Sequence, residues 1–131
     1  MSHVHYTAYA GVESGLAKVP WVATSSGTFK AHLFFYGGVP WAKQHLVGAR
    51  IFTTAKKRDI NPKVLWITRT TGYTRTLRIE GQRLDAPGSF ADHYEGFGDY
   101  PSYVNVPSAG CWRVTISSGR VSGRVVFSAT D

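Results

Sequence analysis

Hydrophobic and polar residues alternate with a period of two over several short stretches of the chain, and no stretch holds a 3.6-residue helical period for three turns. Phe29 to Tyr36 (FKAHLFFY) sets Phe29, Ala31, Leu33 and Phe35 on one face and Lys30, His32, Phe34 and Tyr36 on the other, and Gly37-Gly38 ends it. Ala49 to Thr54 is a shorter candidate strand, followed by a charged turn over Lys56 to Asp59 with Asn61-Pro62. Lys63 to Thr70 (KVLWITRT) is apolar on both faces where it begins, as a central strand is. After Thr71-Gly72, Thr74 to Glu80 alternates with Leu77 and Ile79 inward, so these two segments predict a hairpin. The clearest pair is Cys111 to Ser117 with Val121 to Ala129, joined at Ser118-Gly119. Its register is pinned, because a slip of one residue would send Trp112, Val114 and Ile116 into solvent.

About seven strands separated by turns predict an all-β chain: one domain over residues 1–131, built as a two-sheet antiparallel β-sandwich. Composition sharpens this. The 18 aromatic residues (7 Phe, 7 Tyr, 4 Trp) suit pleated, half-buried surfaces, and 14 Gly with 6 Pro supply turns. A hydrophobic fraction of 43% excludes a mainly disordered chain. No apolar run reaches the ~20 residues of a transmembrane helix. The single cysteine excludes an intrachain disulfide and a multi-cysteine zinc site. A net charge of +7 favours nucleic acid, anionic lipid or acidic polysaccharide as a partner.

Asp85 to Tyr103 breaks the rhythm and reads as a loop, longer than the ~12–15 residues of a plain connection. It holds Asp85, Asp92, Glu95 and Asp99, half of the chain's 8 acids, with His93 among them and five aromatic residues interleaved. A ligand is expected to contact Asp92, His93, Tyr94, Glu95, Phe97, Asp99 and Tyr100, the acids orienting hydroxyls or a cation and the rings stacking on a sugar. The competing expectation is a lid whose aromatics fold onto the core. Asp92, His93 and Glu95 also suggest a small hydrolase. Glycoside hydrolysis, however, requires two carboxylates ~5–9.5 Å apart across a cleft, a distance nothing in the sequence sets. Arg78, Arg113 and Arg124 point outward on their strands and suggest a weak nucleic-acid-binding face, or simply a solubilising one.

Other residues point to structure. Cys111 is expected to be a buried, slowly reacting thiol, with Trp66 and Trp112 buried beside it. His3 and His5 share a face and sit near the terminal amine, a copper or nickel chelating pattern, though a frayed terminus is the plainer expectation. His32 and His45 show no partner in the sequence. GxSxG, HExxH and phosphate-loop patterns are absent, so no catalytic residue, cofactor or metal site is expected.

The run from Pro101 to Phe127 carries Pro101-Ser102, then Val106, Pro107, Ser108, Gly110, Trp112 and Arg113, and then a closing hairpin. This resembles the C-terminal Val-Pro-Ser-x-Gly-x-Trp-Arg block of a family of uncharacterised bacterial extracytoplasmic proteins, secreted or lipid-anchored. Lys63 to Trp66, Leu84 to Phe90 and Leu33 to Tyr36 resemble it too. The resemblance implies an immunoglobulin-like sandwich, exported in its bacterial host, with no catalytic residues to carry over. Met1 to Ala10 has no basic stretch followed by an apolar run, so any export signal is expected to lie outside this chain. The expectation is therefore a non-catalytic extracytoplasmic binding module whose partner is a small molecule, glycan or protein, nucleic acid being disfavoured. Its oligomeric state stays open.

Overall fold

Alternation and turn chemistry produce nine strands and no helix among residues 2–5, 9, 19–34, 50–54 and 63–131, which the computed structural model describes. The strands are β1 (Trp21–Ala23), β2 (Lys30–Leu33), β3 (Arg50–Phe52), β4 (Lys63–Ile67), β5 (Thr76–Arg83), β6 (Ser89–Glu95), β7 (Asp99–Tyr103), β8 (Gly110–Ser118) and β9 (Val121–Thr130). They form a four-stranded sheet in the order β1-β2-β4-β7 and a five-stranded sheet in the order β3-β9-β8-β5-β6. The five-stranded sheet curls into a half-barrel. The expected β8–β9 pair is present, with Trp112 opposite Phe127 and Val114 opposite Val125.

Three expectations need correction. Lys63–Thr70 and Thr74–Glu80 are not a hairpin, because β2 and β7 already occupy both edges of β4, so the chain crosses to the other sheet before β5 begins. The sheets are not purely antiparallel, since β3 runs parallel to β9, with Arg50 opposite Ser128. Asp85 to Tyr103 is not a long loop. It is two strands, β6 at the edge of one sheet and β7 at the edge of the other, joined by Gly96-Phe97-Gly98. The readings at Phe35 to Gly38, His45 and Lys56 to Pro62 lie outside the described residues.

Between the sheets Trp66 and Trp112 are both fully buried. Trp66 meets Phe127 edge-on from the opposite sheet at 6.4 Å and donates its Nε1–H to Ser102 Oγ at 3.0 Å. Ser102 in turn donates to the Val64 carbonyl. Trp112 donates Nε1–H to the Ser108 carbonyl at 2.9 Å, so both indoles bury their area without orphaning a donor. Gly110, at φ +144°, lets Arg83 and Asp85 close over the start of β8: a Cβ there would stand 2.6 Å from Arg83 Nε and 2.8 Å from Asp85 Oδ1. The Arg83 hydrogen bond and the Cys111 N–H hold the Asp85 carboxyl below its ordinary pKa.

Cys111 is half-buried rather than buried, because Trp112 takes the inward position and leaves its neighbour on the outer face. A small thiol reagent is therefore expected to label Cys111 in the native protein. Labelling that requires unfolding, followed in a urea series, would place the thiol in the core.

Gly81 serves a different packing need. A Cβ there would lie 2.0 Å from the Phe90 ring, which crosses the bare backbone of β5 to pack on Trp112 at 5.4 Å. Gly81→Ala is expected to cost about 1–3 kcal/mol, as overpacking does. Gly81→Ala with Phe90→Ala should cost less than the two single changes together, a coupling a double-mutant cycle measures.

The flanks of the sandwich are closed by different means. On one side the N-terminal residues strap the sheets together. Ser2 exchanges bonds with Val126 of β9, Val4 is buried, and His5 forms a bridge with Trp21 of β1 while its ring stacks on the indole at 4.2 Å. Residues 2–5 are thus docked on both sheets, and the imidazole of His3 meets that of His5 edge-on. On the other side Tyr94 of β6 donates its hydroxyl to the Tyr103 carbonyl of β7 at 2.5 Å. The registers gather the β1–β2, β4–β5, β6–β7 and β8–β9 connections at one end of the molecule.

Candidate functional site

The pleat of β6 divides the residues singled out in the sequence. Phe90, Asp92 and Tyr94 turn toward the flank of the core, while Ala91, His93 and Glu95 turn to solvent. Asp92 and Tyr94 belong to the closure between the sheets. Asp92 Oδ1 accepts the His93 N–H at 2.8 Å, and Oδ2 accepts Asn105 Nδ2–H at 3.4 Å and lies 3.2 Å from the Tyr94 hydroxyl, whose proton goes mainly to the Tyr103 carbonyl. A carboxylate folded over the backbone of an edge strand blocks that edge from pairing with another chain. Burial, with the Asp92 charge beside it, raises the Tyr94 pKa, so the hydroxyl stays a donor.

Tyr100 is a core residue, fully buried, its hydroxyl shared between the Thr74 carbonyl and Ser118 Oγ. Asp99 pairs with Arg69 at 2.8 Å on the surface. Phe97 projects at the tip between β6 and β7, 67% exposed, beside Arg75 and Tyr73. The seven candidates therefore do not converge on one pocket. Asp92, His93 and Glu95 line one surface depression, although the pleat of β6 turns Asp92 and His93 to opposite sides of the strand.

What the fold does bring together is His93 and Glu95 with the three outward arginines. Strand alternation places Thr76, Arg78, Glu80 and Gln82 of β5, Arg113 and Thr115 of β8, and Arg124 of β9 on the outer face of the five-stranded sheet. Cross-strand register arranges them in rows. Arg78 lies between His93 and Ser117, Glu80 between Ala91 and Thr115, Thr115 beside Arg124, and Gln82 between Ser89 and Arg113.

Two adjoining depressions of about 470 and 760 Å³ run over this face and share Glu80 and Ala91. The methyl of Ala91 is what leaves the space open beside longer neighbours. Thr76 donates to Glu95 Oε1 at 3.0 Å, and Arg113 Nη2–H donates to Gln82 Oε1 at 2.9 Å, which fixes two of the side chains. Arg78 and Arg124 enter no ion pair among the described residues, where Arg69–Asp99 and Arg83–Asp85 are the pairs formed. Planar guanidinium groups present two parallel donors to a carboxylate, sulfate or phosphate. Glu80, Glu95, Gln82 and Thr115 offer partners for hydroxyls between such charges.

Sequence reasoning located the arginines, His93 and Glu95 but kept them in separate hypotheses. It set Glu80 outward beside Arg78 but missed Gln82 and Ala91, which the β5–β6 and β5–β8 registers bring alongside. It also missed the environment of His32. That ring is fully buried on the other sheet, with Nε2 2.6 Å from the Tyr9 hydroxyl and Nδ1 buried without a hydrogen-bond partner. No group of three or more metal-ligating side chains occurs among the described residues. Among the described residues no helix is long and apolar enough to cross a membrane. Comparison with protein-family models, curated proteins and solved structures finds no match to this chain.

Proposed function

We propose that the protein is a non-catalytic binding module of the extracytoplasmic space, an immunoglobulin-like sandwich that holds an acidic glycan on the outer face of its five-stranded sheet. The observation that carries this reading is the meeting of Arg78, Arg113 and Arg124 on one face over contiguous depressions, with Arg78 and Arg124 free of ion pairs. Carboxylates or sulfates of the glycan meet the guanidinium groups, and ring hydroxyls meet Glu80, Gln82, Thr115 and Glu95. The large exposed aromatics, Phe97 and Tyr103, lie off this face, which disfavours base stacking and so nucleic acid. Two facing sheets of four and five strands support the sandwich reading. The resemblance of the Pro101–Phe127 block supports the extracytoplasmic one.

An array of acidic and neutral oligosaccharides followed by calorimetry tests the proposal. Acidic members are expected to bind, more weakly as salt rises, because screening weakens exposed charge pairs. Arg78→Gln, Arg113→Gln and Arg124→Gln should each weaken binding by about 10- to 100-fold, the loss of a charge-assisted hydrogen bond worth ~1.5–3 kcal/mol. Preference for neutral sugars, or salt-resistant and sequence-selective binding to an oligonucleotide, would rule the reading out.

A further inference from the structure

The end of the sandwich where four connections gather carries a second surface, distinct from the sheet face. Its centre is Phe97, the most exposed of the large hydrophobic side chains among the described residues, at 67%. The tip that carries it is tightly built. The Gly96 N–H donates to the Arg75 carbonyl and the Thr68 N–H to the Gly98 carbonyl, both at 2.8 Å. A Cβ on Gly96 would stand 2.1 Å from the Asp99 carbonyl oxygen, and one on Gly98, whose φ is +80°, 3.1 Å from that of Thr68. Two glycines that cannot be replaced without rearrangement thus pin the backbone on either side of the ring and hold it out.

The ring's surroundings are cationic. The Arg75 guanidinium sits 5.4 Å over one face of Phe97, and Tyr73 meets it edge-on at 6.3 Å. Arg120, on the β8–β9 turn, donates its N–H to the Gly72 carbonyl and lays its side chain against Gly72. Arg69 is at the same end, paired with Asp99. Arg75 and Arg120 enter no ion pair among the described residues.

We propose that this end docks on an anionic lipid bilayer, Phe97 entering the interface while Arg75 and Arg120 meet headgroup phosphates. An apolar ring that projects beside guanidinium groups suits an interface that is apolar within and anionic at its surface. A stacking platform for sugars or bases is less well matched. Arg75 covers one ring face, and Tyr73 stands at 89° to it rather than parallel.

Co-sedimentation with vesicles tests this, comparing phosphatidylglycerol mixed into phosphatidylcholine with phosphatidylcholine alone. The protein is expected to partition onto the anionic vesicles and to leave them as salt rises. Phe97→Ser should lower partitioning about tenfold, and Phe97→Trp should restore it. Arg75→Gln and Arg120→Gln should each lower it about fivefold. All three positions are at the surface, and circular dichroism confirms that each of the four variants is folded. Absence of binding, equal binding to both vesicle types, or unchanged partitioning of Phe97→Ser would overturn the proposal. So would a soluble sulfated polysaccharide or oligonucleotide that needs Phe97 while vesicles are ignored.

Discussion

Trp112→Ala is expected to lower the free energy of unfolding by about 3–5 kcal/mol, the cost of truncating a large buried aromatic in a packed core. The indole is fully buried at the centre of the five-stranded sheet, and it supports more than its own area. Phe90 packs on it across Gly81, and Gly88 approaches it closely enough that a Cβ would lie 3.3 Å from the ring. Its Nε1–H also ties the β7–β8 connection at Ser108 to the sheet. Removing the ring therefore leaves a cavity that Phe90 cannot fill without leaving Gly81 bare. Urea unfolding followed by circular dichroism measures the loss, which should appear as a lower midpoint at unchanged slope. Trp112→Phe keeps most of the packing and should cost clearly less. A loss under about 1 kcal/mol for the alanine variant would mean that this part of the core is misassigned.

Acidification is expected to destabilise the protein through His32. Burial, with Lys30 nearby, depresses its pKa from 6.5 to about 4. The ring is enclosed, and a second proton would enter at Nε2 and displace the hydrogen that Tyr9 donates there, while Nδ1 finds no partner among the described residues, so desolvation is not offset. Desolvation raises the Tyr9 pKa, which keeps that hydroxyl a donor toward Nε2 of the neutral ring. Between the two pKa values the unfolded chain binds the proton and the folded chain does not. Stability is therefore full above about pH 6.5 and falls as pH drops toward 4, by up to about 3 kcal/mol at 1.36 kcal/mol per pH unit. Unfolding midpoints at pH 7 and pH 5 test this before most carboxylates titrate. The parent should lose stability over that interval and His32→Leu should lose much less, whereas parallel losses would assign the effect to other groups.

How far the fold was legible depended on whether alternation in the sequence was clean. β5, β8 and β9 could be read because Leu77 and Ile79, or Trp112, Val114 and Ile116, stand opposite polar neighbours. β6 could not, because its inward set is Phe90, Asp92 and Tyr94, and an acid in that set hides the period of two. Asp92 is tolerated there only because the His93 N–H and Asn105 satisfy it, partners no linear pattern announces. β1 is three residues long and β7 contains Pro101, which reads as a break although an edge strand tolerates it. The false hairpin between β4 and β5 arose because local turn chemistry at Thr71-Gly72 says nothing about which sheet edges are already taken. The candidate site was half visible. Outward arginines could be named, but joining them to His93 and Glu95 required the pairing of β5 with β6.

The most direct test of the account is to follow backbone amide resonances while an acidic oligosaccharide is titrated into the protein. The account predicts that the largest shifts fall on Arg78, Glu80 and Gln82 of β5, Arg113 and Thr115 of β8, and Arg124 of β9, extending to His93. It also predicts that an Arg78→Gln/Arg113→Gln/Arg124→Gln variant, folded by circular dichroism, shows almost none. Shifts confined to the connections at either end, or a triple variant that binds like the parent, would contradict it.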